Sequence, residues 1–103
     1  MVWLDHDPRA GHEQAGRRPT LVLSPKAYNA ATGLMLCCLV TSQVKGYPFE
    51  VQLVGIKGLS GVVLSDQLRS LDWQARSAEK IGRAADDVVA DVLAKVKVLL
   101  TVR

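Results

Sequence analysis

The spacing of apolar residues changes once along this chain, and that change constrains the fold more than any other feature of the sequence. From residue 86 to about residue 100, apolar side chains recur every three or four positions, which is the pattern of an amphipathic helix. Before residue 86 they form short runs separated by polar residues, glycine and proline, which is the pattern of short strands. Short strands followed by one terminal helix predict a mainly β domain of the α+β type, built as a small, strongly bent sheet or barrel.

The charges of the predicted helix agree with its direction. Asp86 and Asp87 lie in the first turn, where the helix dipole favours negative charge, and Lys95 and Lys97 lie near the end, where it favours positive charge. The apolar positions are Val89, Val92, Leu93, Val96, Leu99 and Leu100. Because valine is a weak helix former, packing against the sheet must stabilise this helix.

Seven short segments are predicted to be strands. They are residues 2–4, 20–23, 34–40, 47–53, 61–64, 68–73 and 77–82. Residues 34–40 are almost continuously apolar, which predicts a central strand buried on both faces. Asp66 and Gln67 separate two of the predicted strands and are expected to form a turn.

The length and composition fit a single domain spanning residues 1–103. Hydrophobic residues make up 49% of the chain, enough for a core, and the formal net charge of +3 permits an anionic partner without requiring one. No apolar run approaches the roughly 20 residues that span a bilayer, so no membrane partner is expected. A polar, charged segment stands where a signal peptide would have its apolar region, so we expect no cleaved leader.

Cys37 and Cys38 are adjacent in a predicted strand, where neighbouring side chains point to opposite faces and cannot form a normal disulfide. The chain has no C-x-x-C motif, and its two histidines lie far from the cysteines in sequence, so no zinc site is expected. We interpret the pair as small buried residues, in a protein of the reducing cytoplasm. Neither a metal nor a cofactor is expected.

A long polar segment lies between the first two predicted strands. Residues 5–19 contain two Asp, one Glu, two His and three Arg. A loop of this length in a small domain is usually functional or disordered. Because strands hold both of its ends, the segment is a candidate site.

This segment reads D-x-D-P-x-x-G-x-E-Q-A-G-x-R-P and, with the apolar strand and Ser24-Pro25 that follow, resembles the opening of the MazF/PemK family of toxin endoribonucleases. Further motifs fall in the family's order and spacing: Tyr28-Asn29, Thr32-Gly33, Thr41-Ser42-Gln43, KGYPFEV at 45–51, Ser65-Asp66-Gln67, Ser70-Leu71-Asp72-Trp73 and Ala75-Arg76. The resemblance covers nearly the whole chain. It implies an SH3-like, CcdB/PemK-type antiparallel β-barrel with a C-terminal α-helix, assembled as a homodimer.

The resemblance also implies a function. A member of this family would be the toxin of a toxin–antitoxin pair and would cut single-stranded RNA at selected sequences without a metal. The products would carry 2′,3′-cyclic phosphate and 5′-hydroxyl ends. The implied partner is an antitoxin whose acidic, disordered tail covers the groove at Arg18 and folds on binding.

The resemblance places the family's catalytic residues on Arg18, Thr41 and Glu13. A guanidinium can bind two phosphate oxygens at once, and a hydroxyl at a strand end can donate to a third. From composition alone, Arg18 would be a surface residue balancing loop acids, and Thr41 would bond to local backbone. Since arginine, with a pKa above about 12, is a poor base, we expect Arg18 to act electrostatically and Glu13, or secondarily His12, to transfer protons.

The candidate substrate-binding residues are Gln14, Ser42, Gln43, Lys45 and Tyr47. Amides and hydroxyls can read the base edges of unpaired RNA, an aromatic ring offers a stacking surface, and lysine can meet a backbone phosphate. Tyr47 fits a core position equally well. An aromatic content of 5% indicates recognition of only a few nucleotides.

Three features depart from the family pattern. Some relatives pair an acid at the position of Asp66 with an arginine two residues earlier, but here that residue is Leu64. His6 stands where an aromatic residue is usual, and the first strand begins closer to Met1 than in most members. Leu64 argues against a mechanism centred on Asp66, and either of the other two departures could lower stability or weaken activity.

Two alternatives to a nuclease remain open from the sequence. Gyrase-poison toxins share the same barrel and inhibit a protein through their C-terminal residues, but this chain ends without the aromatic tail that such poisons carry. A degenerate copy could bind RNA or antitoxin without cutting. The presence of Glu13, Arg18 and Thr41 favours the nuclease.

Overall fold

The computed structural model describes residues 1–6 and 16–100. Its strands are β1 (Val2–Asp5), β2 (Arg17–Val22), β3 (Leu34–Thr41), β4 (Glu50–Gln52), β5 (Val62–Asp72) and β6 (Glu79–Lys80), and its helices are α1 (Lys26–Thr32) and α2 (Asp86–Leu99). The strands form one antiparallel sheet in the order β4-β5-β3-β2-β1-β6. This confirms a mainly β fold with a C-terminal helix. Within the described ranges, the edge strands β4 and β6 do not pair, so the sheet is not a closed barrel.

The turn predicted at Asp66 and Gln67 is wrong, because both residues lie inside the single long strand β5. The pairing with β3 changes register here: Cys38 pairs with Leu68, whereas Val40 pairs with Val63. Such an irregularity bends a strand without ending it. A polar interruption of an apolar run therefore marks a bulge here and not a chain reversal.

The prediction that β3 is buried on both faces is wrong for its first half. Leu34 and Leu36 are 36% and 38% exposed, while Met35 and Cys37 on the other face are buried. Farther along the strand, Val40 is buried in the cluster that includes Val92 of α2. The two faces of β3 are thus covered at opposite ends, which a uniform run of apolar residues cannot indicate.

The helix α2 has the predicted position, and its acids Asp86 and Asp87 occupy the first turn. Its buried residues are Val88, Val92 and Val96. These lie one turn apart in a single row, because the helix contacts one face of the sheet. The sequence also predicts Leu93, Leu99 and Leu100 on the apolar face that packs against the sheet. This is wrong, because all three side chains are exposed.

The apolar residues form a cluster on each face of the sheet. The larger cluster lies beneath α2 and includes Leu21, Cys38, Val63 and Val92. The smaller one contains Leu4, Met35 and Cys37 and is covered by Trp73 and Ala78. The Trp73 indole donates a hydrogen bond to the Asn29 carbonyl at 2.9 Å, which ties the end of β5 to α1.

Both cysteines are free and buried, as predicted. Burial raises the pKa of the Cys37 thiol to about 11 and that of Cys38 to about 12. The thiols are therefore protonated at neutral pH and contribute packing. No helix in the described part of the chain is both long enough and apolar enough to cross a membrane.

Candidate active site

A cavity of about 200 Å³ opens on the face of the sheet opposite α2. It is lined by Arg18, Leu39, Thr41, Gln43, Lys45, Tyr47, Glu50, Leu64 and Gln67. The side chains of β3 that face it, Leu39 and Thr41, alternate with Cys38 and Val40, which face the main core. The face toward α2 therefore holds the larger cluster, and the opposite face holds the smaller cluster and this polar site.

Strand β2 places Arg18 at this cavity and keeps Arg17 away from it. The Arg17 guanidinium lies 2.9 Å from the Asp5 carboxylate and 3.7 Å from that of Glu79, and it donates to the Ser77 carbonyl at 2.9 Å. Arg18, which pairs with Leu4 across β1, is exposed and lines the cavity. Because successive side chains of a strand point to opposite faces, the two arginines have different partners.

Thr41 is the last residue of β3, and its side chain lines the same cavity. Its hydroxyl oxygen accepts a hydrogen bond from the Gln43 amide at 3.1 Å. The local backbone bond considered as an alternative is therefore present, but accepting it leaves the hydroxyl proton able to donate to a ligand. The structure thus brings Arg18 and Thr41, 23 positions apart in the sequence, to one cavity.

The approach of Gly61 fixes the end of β3. The Gly61 backbone has a φ of +115°, and a Cβ there would clash with the Thr41 carbonyl oxygen. Only glycine combines this conformation with so close a contact. Gly61 thereby lets β5 begin directly against the residue that carries the cavity's hydroxyl.

The segment between β3 and β4 supplies three of the five predicted binding residues to the cavity. Gln43, Lys45 and Tyr47 line it, whereas Ser42 is exposed outside the lining. Tyr47 is half-buried and not a core residue. Its hydroxyl donates to the Asp66 carboxylate at 2.8 Å.

The hydrogen bond to Asp66, with smaller effects of burial and nearby acids, raises the pKa of Tyr47 to about 12. Tyr47 is therefore a neutral phenol at physiological pH. Asp66 accepts this hydrogen bond, and the phenol keeps its proton. Position 64 is a leucine and not an arginine. Leu64 instead contributes an apolar surface to the cavity.

Sequence reasoning missed four residues of the cavity: Leu39, Glu50, Leu64 and Gln67. Glu50 carried a usable signal, because it alternates with Val51 in a predicted strand and had to face away from the core. The sequence predicts Leu64 at a strand end and Gln67 in a turn, so it does not indicate that the two residues share a face. Only the continuous β5 brings them to the same surface.

His6 directly follows β1 and is electrically neutral at pH 7. Its Nε2 is 2.8 Å from the hydroxyl of the buried Thr20. Burial, followed by the positive charges of Arg76, Arg69 and Arg18, lowers the pKa of His6 to about 4. Arg76 also donates to the carbonyls of Asp5 and His6 at 3.0 Å each, which holds the chain where β1 ends.

Glu13, Gln14 and His12 lie outside the described residues. The predicted roles of these three residues therefore remain predictions. In residues 1–6 and 16–100, no group of three or more His, Cys, Asp or Glu side chains is arranged to hold a metal ion.

Comparisons with known proteins identify the family to which this chain belongs. The family model described as "PemK-like, MazF-like toxin of type II toxin-antitoxin system" matches residues 1–100. The endoribonuclease toxin MazF of Escherichia coli strain K12 is 49% identical over 100 residues, covering 97% of this chain and 89% of that protein. The endoribonuclease PemK of Escherichia coli is 37% identical over 106 residues, covering 97% of this chain and 79% of that protein.

Solved structures agree with these relatives. A crystal structure of MazF from Deinococcus radiodurans superposes with a TM-score of 0.86 at 61% identity, covering 96% of this chain and 90% of that one. A MazE-MazF crystal structure from the same organism gives 0.84 at 55% identity, covering 96% and 88%. The chain belongs to the PemK-like, MazF-like toxin family, and the named relatives are endoribonucleases. This favours the nuclease over the gyrase-poison alternative.

Proposed function

We propose that this chain is a sequence-selective endoribonuclease toxin that cleaves single-stranded RNA, with Arg18 and Thr41 binding the scissile phosphodiester. The observation that carries the proposal is the shared cavity of these two side chains, on the sheet face that α2 does not cover. The family membership and the endoribonuclease relatives support the reaction class.

The proposed reaction needs no group beyond those of the chain and the RNA. The 2′-hydroxyl oxygen attacks the adjacent phosphorus, the bond to the 5′-oxygen breaks, and the products are a 2′,3′-cyclic phosphate and a 5′-hydroxyl. The guanidinium of Arg18 stabilises the added negative charge on the phosphate oxygens, and Thr41 donates a hydrogen bond to one of them. Glu13 takes the proton of the 2′-hydroxyl as the new bond to phosphorus forms and donates that proton to the 5′-oxygen as the old bond breaks, and it can also orient Arg18.

The loop after β3 supports substrate binding. Lys45 would meet a backbone phosphate, Gln43 a base edge, and the ring of Tyr47 a base face. Gln14 and Ser42 would extend these contacts. The cavity is small, which fits the recognition of a few nucleotides.

The proposed partners follow from the same surface and from the relatives. A MazE-MazF complex is among the similar structures, and we propose that an antitoxin with an acidic, disordered tail blocks the cavity at Arg18. The active unit is a homodimer of a single domain spanning residues 1–103. It works in the cytoplasm, where its RNA substrate is found.

The test is cleavage of a long RNA in EDTA, with the ends mapped. The wild type should cut at discrete sites, and Arg18→Ala and Thr41→Ala should each lower kcat/KM about 10²- to 10³-fold. Arg18→Lys keeps the charge but loses the two-pronged contact, so we expect a loss of at least about tenfold. Arg83→Ala is the control of equal charge change, because its side chain is 87% exposed and lies outside the cavity.

Intact RNA with the wild-type protein would overturn the proposal. Near-normal cleavage by Arg18→Lys would show that a two-pronged contact with phosphate is not the role of Arg18.

A further inference from the structure

The segment between β3 and β4 carries Gln43, Lys45 and Tyr47 into the cavity, yet residues 43–47 contain no helix or strand. Such a segment needs other hydrogen bonds to hold its shape. We infer that Glu50 is the positioning residue that holds this segment over the cavity and thereby sets RNA affinity and site selection, an inference that rests on the proposed function.

Both carboxylate oxygens of Glu50 are used for this purpose. Oε2 accepts from the Lys45 amide at 3.0 Å, and Oε1 accepts from the Gly46 amide at 2.8 Å. The Glu50 amide itself donates to the Tyr47 carbonyl at 3.1 Å. One residue therefore makes three hydrogen bonds to three successive residues of the segment.

The base of Glu50 is firmly placed. It begins strand β4 and pairs with Leu64 of β5, and the next residue, Val51, is buried in the main core. Because paired residues share a face of the sheet, Glu50 projects toward the cavity beside Leu64. The carboxylate thus holds the segment, which lies outside the sheet, in a fixed position relative to the sheet.

The backbone of Gly46 explains why one carboxylate can accept from two amides. Gly46 has a φ of +83°, a conformation that other residues rarely adopt. Consecutive amides that converge in this way form a concavity suited to an anion. Here Glu50 fills that concavity, so these amides hold the protein's own carboxylate and not an RNA phosphate.

Glutamate fits this role and its closest substitutes do not. Glutamine keeps one acceptor oxygen, but its NH₂ group faces the second backbone N–H. Because both of these groups are donors, that hydrogen bond is lost. Alanine removes both acceptors. Glu50 touches neither the scissile phosphate nor the reacting atoms in the proposed reaction, so its loss should act through Lys45 and Tyr47.

The direction of the effect separates positioning from simple charge. A carboxylate beside a phosphate-binding cavity repels RNA, so if charge were its only effect, Glu50→Gln would lower KM. Positioning predicts the opposite: loss of a charged hydrogen bond should raise KM about tenfold in Glu50→Gln and further in Glu50→Ala. Because Arg18 and Thr41 keep their places, kcat should stay within about twofold of the wild type.

The experiment measures kcat and KM on an RNA oligonucleotide containing one mapped site, and it maps cleavage of a long RNA by each variant. Asp91→Asn is the matched control, since it removes the same charge from an exposed position on α2. Amide hydrogen exchange on each protein should show Lys45 and Gly46 protected in the wild type and in Asp91→Asn, and exposed in both Glu50 variants. The long-RNA map should show additional cleavage sites in the Glu50 variants.

The outcomes separate the inference from the proposed function. Wild-type cleavage with unchanged KM, unchanged sites and protected amides in Glu50→Ala would overturn the inference alone. A lower KM in Glu50→Gln would also overturn it, because charge would then dominate. If the wild type leaves RNA intact, the proposed function fails, and the inference fails with it whatever the amides show.

Discussion

Arg17 and Arg18 are adjacent residues of one type, and the alternation of side chains along β2 gives them different surroundings. Arg17 forms ion pairs with Asp5 and Glu79 and donates a hydrogen bond to a backbone carbonyl. It therefore links β2 to β1, to β6 and to the chain just before β6. Arg18 faces the cavity. At the scale of single residues, the face of the strand toward which each arginine points decides its role, because the two side chains are chemically identical.

His6 gives a pH prediction at the same scale. Its pKa is about 4 in the folded chain, against the ordinary value of 6.5 for a histidine in an unfolded chain, so protons bind the unfolded state more strongly. His6 therefore stabilises the fold fully above pH 6.5, and this contribution falls as the pH drops from 6.5 toward 4. We expect the Tm to decrease between pH 7.5 and pH 5.

The variant His6→Phe checks the cause. Phenylalanine cannot be protonated, so the decline in Tm over this range should become smaller, although loss of the contact with Thr20 should lower the Tm at pH 7.5. His12→Gln, which removes the other histidine, is the control. An equal decline in His6→Phe and the wild type would show that His6 is not the titrating group.

At the scale of elements, strand β5 determines much of the site. Because the register between β5 and β3 shifts, β5 pairs with Met35 near one end of β3 and, at Val62, with Thr41 near the other end. Leu64 and Gln67 reach the cavity from the irregular stretch between these pairings. The junction before β5 must also approach β3 closely, and Gly61 permits this.

Two glycine variants test that junction. Gly61 and Gly58 both have positive φ, +115° and +84°, but only a Cβ at Gly61 would meet the Thr41 carbonyl, while one at Gly58 would have nothing within 4 Å. Gly58→Ala should lower the free energy of unfolding by about 1 kcal/mol through backbone strain. Gly61→Ala should cost clearly more and also reduce RNA cleavage, because it displaces Thr41.

Denaturant unfolding and a cleavage assay on both variants provide the measurement. If Gly61→Ala matches Gly58→Ala in stability and retains full cleavage, the close approach of Gly61 does not position Thr41.

At the scale of the whole molecule, one sheet separates stability from function. Its α2 face holds the larger core, and its other face holds the cavity and the smaller cluster around Leu4. A change beneath α2 should therefore alter stability without altering the proposed reaction.

The pair Val92→Ala and Val98→Ala tests this separation with one chemical change at two sites on α2. Val92 is 0% exposed and Val98 is 64% exposed. Val92→Ala should lower the free energy of unfolding by about 2 kcal/mol and the Tm by about 10 °C, because it leaves a cavity in the core. Val98→Ala should be neutral or slightly stabilising, since alanine is the better helix former.

Melting curves at one fixed protein concentration and kcat/KM at 25 °C provide the readouts. Both variants should cleave RNA at the wild-type rate while folded. A loss of cleavage in fully folded Val92→Ala would show that the two faces of the sheet are coupled.

The sequence by itself determined the fold class, the position of α2 and the burial of Cys37 and Cys38, because apolar periodicity, helix charges and turn residues act over a few neighbouring positions. Its resemblance to a family also singled out Arg18 and Thr41 as candidates. Only the tertiary structure decided that residues 62–72 form one strand, which ends of β3 are covered, and that Glu50 holds the segment at Lys45. These features depend on pairing and register between segments far apart in the chain, and no local pattern of residues encodes which segments will meet.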